Sequence, residues 1–157
     1  MKVAISCEFA GYPLKKLVKE HLLECGHEVI DVGQLDEIHT IKYPEAAANL
    51  ARCLQNKESE KGVLICGSGA GVSIVANKFK GIYAVACESL FAAQNIPIIN
   101  DANVITMGYN MVGRNNAFAM VDAFLAGSFA KDCTPERRQF LADMLADVKR
   151  IENENLK

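Results

Sequence analysis

Five short apolar segments alternate along the chain with longer segments of helical periodicity, and this alternation constrains the fold more than any other feature. The apolar segments cover residues 2–6, 28–32, 62–66, 82–87 and 103–108. Each would be apolar on both faces of a strand, which is typical of a parallel sheet covered by helices on both sides. The sequence therefore predicts an α/β fold with a doubly wound, Rossmann-like sheet of five parallel strands.

Between and after these strands, the spacing of apolar residues predicts helices. Proline suits the first turn of a helix, because its missing N–H has no intrahelical partner there. Pro13 and Pro44 begin two helices on this reading, and further helices follow over residues 112–125 and, as a long last helix, from Thr134. The chain has 157 residues, half of them hydrophobic, which is the usual size of one domain with one substantial core. We expect a single domain over residues 1–157.

Charge and cysteine usage narrow the class of protein. The net charge is −2, without a basic block, so we expect no nucleic-acid partner. No segment approaches ~18 unbroken apolar residues, and the N-terminal apolar run is too short for a secretory signal, so we expect a cytoplasmic protein with no membrane partner. The six cysteines are widely spaced and form no CxxC motif, which predicts reduced thiols rather than disulfides or a zinc site.

The most informative segment is LICGSGAGVSIVANK, residues 64–78. It places Gly67, Gly69 and Gly71 between a strand and a helix. A backbone without Cβ atoms can turn its N–H groups inward as an anion site, helped by the helix N-terminus. No GK[ST] follows, and the spacing differs from the dinucleotide fingerprint GxGxxG. Taken alone, such a turn is equally consistent with a tight connection.

Cys66 lies directly before this loop, at the carboxyl end of its strand, where ligands bind in sheets of this kind. Converging N–H donors stabilise a thiolate and also an oxyanion next to it. Two chemistries fit: acyl transfer, which normally needs a histidine partner, and proton abstraction next to a carbonyl. His21 falls within a helix and His27 at the far end of a strand, so only His39 is in a loop that could approach. Proton transfer is the favoured interpretation.

Four segments carry a resemblance to a known family: VAISCEFAGYPLK near the start, KYP at 42–44, CGSGAGVSIVANK, and NDANVITMG at 100–108. They resemble the family that unites type B ribose-5-phosphate isomerase with galactose-6-phosphate isomerase. The resemblance runs in order through most of the chain and weakens after about residue 127. The resemblance implies an aldose–ketose isomerase of sugar phosphates that works through a cis-enediol, without a metal or organic cofactor. It also implies sites at the interface of a dimer, so we expect a homodimer or dimer of dimers, with a heteromer as an alternative.

The resemblance also assigns roles by position. Cys66 is the base that moves a proton between C1 and C2, and the Ser68 hydroxyl lies near the reacting oxygens. Independently of the resemblance, Glu8 follows the first strand and is expected to be an active-site carboxylate, with an ordinary polar residue at a strand end as the alternative. The expected substrate-binding residues are Gly67, Gly69, Ala70, Gly71, Tyr43, Asn100 and Arg137.

The sequence departs from the family at several positions. Glu8-Phe9 stands where the ribose-5-phosphate enzymes carry Asp-His, and Ile99 replaces the histidine assigned to opening the furanose ring. Asn110 and Cys133 stand where the family has arginines, the second of which binds phosphate. An isoleucine cannot transfer a proton, and such general acid–base help is worth roughly 10²–10⁴-fold in rate.

These departures leave several readings open. The substrate could be already open, such as a tetrose phosphate. The chain could be the cysteine-bearing subunit of a two-chain galactose-6-phosphate isomerase whose partner supplies the missing group. It could act on another sugar or sugar phosphate with reduced phosphate affinity, or bind a sugar phosphate without turnover. A flavodoxin-like nucleotide- or flavin-binding module is the non-enzyme alternative, although the first loop, CEFAGYP, offers few hydroxyls for a phosphate.

Overall fold

A computed structural model describes residues 1–156. Its centre is one sheet of five parallel strands in the order β2-β1-β3-β5-β4. The predicted fold class is therefore confirmed. The strands are β1 (Lys2–Cys7), β2 (Glu28–Asp31), β3 (Lys61–Cys66), β4 (Ala84–Ala86) and β5 (Val104–Gly108).

Helices cover both faces of the sheet, and each face has its own apolar core. One core joins Val18 and Phe124 to the sheet residue Ile105, and the other joins Leu50 and Val72 to Leu64. The helices are α1 (Tyr12–Glu24), α2 (Tyr43–Gln55), α3 (Ala70–Ala76), α4 (Leu90–Asn100), α5 (Arg114–Ala126) and α6 (Pro135–Asn155). Within residues 1–156, no helix combines the length and apolar character needed to span a bilayer.

The structure differs from the predicted elements mainly around β4 and α4. The fourth strand is Ala84–Ala86, shorter than the predicted 82–87. Helix α4 was not predicted, because its sequence LFAAQNIPIIN is apolar nearly all round and so lacks a clear helical period. It also contains Pro97, which ordinarily ends a helix. Here the helix continues for one more turn, to Asn100.

The predicted long last helix, α6, is confirmed. Thr134 is its N-cap, and its hydroxyl oxygen accepts a hydrogen bond from the backbone N–H of Arg137 at 3.3 Å. Leu141 is the buried residue of this helix, whereas one side exposes a row of apolar side chains. Those exposed side chains are Phe140, Met144, Val148 and Ile151.

Because all strands are parallel, the sheet has two chemically different edges. At the carboxyl edge, Cys66 of β3 lies beside Gly108 of β5. At the amino edge, the backbone N–H of Ala130 donates to the carbonyl of Ile98 at 2.9 Å, and Lys61 donates to the carbonyl of Gly127 at 2.6 Å. The strand β5 separates the two edges by roughly 13 Å, at ~3.3 Å per residue.

Candidate active site

Cys66 is the last residue of β3, and its sulfur is held by the loop that follows. The backbone N–H of Gly69 donates to the Cys66 Sγ at 3.0 Å. Gly69 has a left-handed backbone, φ +81°, and a Cβ there would lie 2.9 Å from the carbonyl carbon of Met107. Only glycine fits this position, so the sequence of the loop fixes an amide that points back at the thiol.

Thr106, in β5, anchors the same loop through a side-chain hydrogen bond. Its Oγ1 is fully buried and donates to the carbonyl of Gly69 at 2.7 Å. In a trans peptide the C=O and N–H point in opposite directions, so anchoring this oxygen turns the next N–H, that of Ala70, outward. The Ser68 Oγ accepts a hydrogen bond from this Ala70 N–H at 3.3 Å. Thr106 was not predicted as a site residue, although a polar residue within the apolar strand VITMG was a usable signal.

The connection after β5 closes against the glycine loop. Backbone N–H groups of Tyr109 and Asn110 donate to the carbonyls of Cys66, at 2.8 Å, and Gly67, at 3.1 Å. The Asn110 side-chain nitrogen lies 3.6 Å from where a Cβ on Gly67 would stand. Asn110 therefore borders the loop, at a position where the resemblance expects an arginine.

Tyr43 lies on the other side of the loop, at the start of α2. Its ring is 3.1 Å from where a Cβ on Gly71 would stand, so glycine at 71 allows the tyrosine to approach closely. The ring also lines an open groove with Glu8 and Phe9. The structure thus brings Tyr43, Glu8 and the loop 66–71 to one region of the carboxyl edge.

Glu8 has a local structural role in this region. Its two carboxylate oxygens accept hydrogen bonds from the backbone N–H groups of Ala10 and Gly11, each at 3.0 Å, and cap the short 3₁₀ turn Phe9–Gly11. Gly11 in turn lies so close to the carbonyl of Ile65 that a Cβ would overlap it. This capping role was not anticipated, and the catalytic role of Glu8 stays a prediction.

Two predicted substrate-binding residues lie elsewhere. Asn100 ends α4 shortly before β5 begins, and Arg137 is in the first turn of α6, which follows the segment bonded to Ile98, so both lie towards the amino edge. Both are exposed. The Arg137 guanidinium lies over the Phe140 ring at 5.3 Å from its centre. Within one chain the structure does not bring either residue to Cys66. Ile99 precedes Asn100 in α4 and so lies towards the same amino edge of the sheet.

Other cysteines could replace Cys66 as the reactive thiol, and the histidines could be its partners. Burial raises the pKa of the Cys7 thiol to about 12 and that of Cys87 to about 11, so both stay protonated near neutral pH. His21 and His39 are bonded to aspartates, and His27 contacts the N-terminus. Because each histidine is bonded to a partner other than Cys66, the structure gives no support to a cysteine–histidine acyl-transfer pair.

Comparisons with known proteins agree with this architecture. The family model described as Ribose/Galactose Isomerase matches residues 3–141. The chain is 40% identical over 152 residues to 4-deoxy-4-sulfo-D-erythrose isomerase of Clostridium sp. (strain MSTE9), covering 97% of this chain and 96% of that one. It is 41% identical over 128 residues to ribose-5-phosphate isomerase B of Escherichia coli (strain K12), covering 82% and 85%. The solved structure of ribose-5-phosphate isomerase B from Clostridium thermocellum superposes with a TM-score of 0.89 at 32% identity, over 98% of this chain and 99% of that one.

Proposed function

The chain belongs to the ribose/galactose isomerase family and is an aldose–ketose isomerase, and we propose that its substrate is a four-carbon sugar with an anionic group on its far carbon. The anionic group is a phosphate or a sulfonate. The observation that carries this proposal is the side chain at position 99.

Ile99 is a hydrocarbon at the position where the family resemblance places the histidine that opens a furanose ring. A six- or five-carbon sugar phosphate spends most of its time as a ring and needs that proton transfer. A tetrose whose C4 carries a phosphate or sulfonate has no free C4 hydroxyl, so it cannot close a furanose. Losing the histidine therefore costs nothing for such a substrate. The relative from Clostridium sp. (strain MSTE9) is named for a tetrose of this kind, which supports the proposal.

For the reaction itself, the Cys66 thiolate takes the proton from C2 of the aldose. The carbonyl oxygen on C1 then carries the developing negative charge, and amides of the loop 67–71 stabilise it. The hydroxyl proton moves from O2 to O1, with the Ser68 hydroxyl close to both oxygens. The Cys66 thiol finally returns its proton to C1, which gives the ketose and restores the thiolate. The 3.0 Å contact between the Gly69 N–H and the Cys66 Sγ supports this assignment.

We further propose that two chains complete each site. Cys66 lies at the carboxyl edge, and Asn100 and Arg137 lie at the amino edge of the same chain. A homodimer, or a dimer of such dimers, would set the partner subunit's Asn100 against the substrate hydroxyls. The partner subunit's Arg137 would bind the terminal anion, for which a guanidinium is well suited.

A second candidate rests on the same residue. If a different chain supplied the proton-transfer group that Ile99 lacks, this chain would be the cysteine-bearing subunit of a heteromeric galactose-6-phosphate isomerase. Without that partner, this chain would be inactive on galactose 6-phosphate and other ring-forming sugar phosphates. The remaining alternative is a chain that binds sugar phosphates without turning them over. Such a chain would gain no activity when a second chain is added.

We expect the enzyme to work in a reducing compartment, the cytoplasm. All six cysteines lie within the described part of the chain and carry free thiols. Disulfides form and persist mainly in oxidising compartments, so six unpaired cysteines favour a reducing one.

A substrate panel tests the proposal. The purified chain is assayed with a tetrose 4-phosphate, a 4-sulfo tetrose, ribose 5-phosphate and galactose 6-phosphate. We expect kcat/KM for a tetrose to exceed that for the ring-forming sugars by about 10²-fold, the lower end of what proton-transfer help contributes. Equal or better turnover of ribose 5-phosphate would contradict the proposal. Activity on none of the four would also contradict it, and turnover of galactose 6-phosphate only after a second chain is added would support the heteromeric alternative. The ratio of the two tetroses identifies the anion.

A further inference from the structure

Three side chains of metal-binding type meet at the contact between α1 and α5. His21 Nε2 lies 2.8 Å from Asp122 Oδ1 and 3.7 Å from Cys25 Sγ. All three ligand atoms lie within 4.8 Å of one another. We propose that His21, Cys25 and Asp122 form a binding site for a divalent transition-metal ion, with Zn²⁺ as the ion that this ligand set fits best.

The fold holds these side chains in place without help from a metal. His21 and Cys25 are four residues apart at the end of α1, which puts them on one face of the helix. Asp122 comes from α5, and Phe118, one turn earlier, stacks on the His21 ring at 4.3 Å with the rings 4° from parallel. This stacking fixes the imidazole plane, and within that plane Nε2 faces the Asp122 carboxylate.

The distances are close to those of a tetrahedral zinc site. Zinc bonds of ~2.0–2.3 Å place neighbouring ligand atoms about 3.3–3.6 Å apart. The His21–Asp122 pair is shorter than this and the His21–Cys25 pair nearly matches. Cys25 and Asp122 are exposed, so small rotations of their side chains can lengthen the His21–Asp122 distance and shorten the Cys25–Asp122 distance. Imidazole with thiolate and carboxylate is a ligand set that selects zinc over magnesium or calcium.

Binding to this site would be independent of the proposed chemistry. The helix α1 begins after the carboxyl edge of β1, so its far end, with His21 and Cys25, lies towards the amino edge. On binding, the Cys25 thiol gives its proton to solvent, the sulfur bonds to the metal, and water takes the open fourth position. The ion would then tie α1 to α5, two helices that share one core, and would stabilise the folded chain.

Cobalt titration of the full-length protein, stripped of metal with a chelator, tests the site. Tetrahedral Co²⁺ bound to a thiolate gives visible bands and a near-ultraviolet charge-transfer band. We expect both in the parent, and loss of both in Cys25→Ser, which alters an exposed side chain and should fold. His21→Ala and Asp122→Asn should weaken binding at least tenfold. Zn²⁺ should raise the Tm of the parent by roughly 5 °C at saturation, and that of Cys25→Ser by much less.

Two matched thiol variants locate the metal. Cys133→Ser, at a partly exposed cysteine, and Cys66→Ser, at the proposed active site, should both keep the cobalt spectrum. Bands that survive in Cys25→Ser, or that disappear in Cys66→Ser, would overturn the proposal by placing the metal elsewhere. A parent protein without charge-transfer band at tenfold excess of Co²⁺ would overturn it as well, and would leave the group as an ordinary His–Asp hydrogen bond.

Discussion

The two edges of the sheet carry different kinds of predicted functional residue. At the carboxyl edge, Cys66 is buried and its loop is fixed by backbone hydrogen bonds and by Thr106. At the amino edge, Asn100 and Arg137 are exposed side chains at the ends of helices. The contrast teaches that one chain can build the reactive centre alone, because strand, loop and helix follow one another in sequence. On our proposal, two of the groups expected to recognise the substrate, Asn100 and Arg137, act on the site of a second chain.

Subunit mixing tests the comparison with the largest expected effect. Cys66→Ala and Arg137→Ala are each expected to be nearly inactive as pure oligomers, the first by about 10³-fold or more, because it loses the proposed base. Refolding the two together in equal amounts should regain activity, since about a quarter of the sites then combine an intact Cys66 with the partner's intact Arg137.

The matched control for mixing carries both substitutions on one chain. Refolded with Cys66→Ala, this double variant leaves no site with an intact base and should regain nothing. Equal recovery in both mixtures, or none in the first, would show that the two edges do not complete one another across an interface.

Gly69→Ala tests how strictly the carboxyl edge is built. We expect kcat to fall by about 10²-fold, because a left-handed backbone costs a side chain roughly 1–2 kcal/mol and the Cβ would also push against Met107, displacing the amide from the Cys66 sulfur. The control is Gly81→Ala at the amino edge, which has a similar φ of +77° but open space around it. Similar losses of kcat in both variants would mean that the effect is only one of stability.

Thr106→Val isolates the buried hydrogen bond to the loop. Valine has nearly the same shape but no hydroxyl, so we expect about a tenfold loss of kcat, equivalent to ~1.4 kcal/mol, with little change in KM. Thr106→Ser keeps the hydroxyl and should recover most of the activity. The rate of alkylation of Cys66, measured in parallel, should change in the valine variant and not in the serine variant. Parent-like kcat in Thr106→Val would remove Thr106 from the positioning of the loop.

Ile99→His gives the smallest expected effect and bears on the amino edge. Kinetic assays should show a severalfold gain in kcat/KM on ribose 5-phosphate, because a histidine can supply the ring-opening proton transfer, and no gain on the tetrose. Ile99→Leu is the control, with a similar volume and no titratable group. No gain by a folded histidine variant would show that ring opening is not what limits this enzyme.

The sequence predicted the carboxyl edge better than the amino edge, for a physical reason. Cys66 and the glycines after it are neighbours in the chain, so their local conformation brings them together. By contrast, Thr106 reaches the loop only through the pairing of β5 with β3, which no local pattern reveals. The helix α4, which carries Asn100, was missed because it is apolar on nearly all sides and contains Pro97.

Hydrogen exchange at carbon tests the central claim, that the Cys66 sulfur carries the proton between two sugar carbons. The enzyme is incubated with a C2-deuterated tetrose substrate in water, and the label in substrate and product is followed by NMR. We predict that in the parent the deuterium leaves C2, part of it appearing at C1 of the product and the rest exchanging from the thiol into water, and that Cys66→Ala neither removes it from C2 nor forms product. Loss of deuterium from C2 by a folded Cys66→Ala at a rate within about tenfold of the parent would contradict the claim, because another group would then be the base.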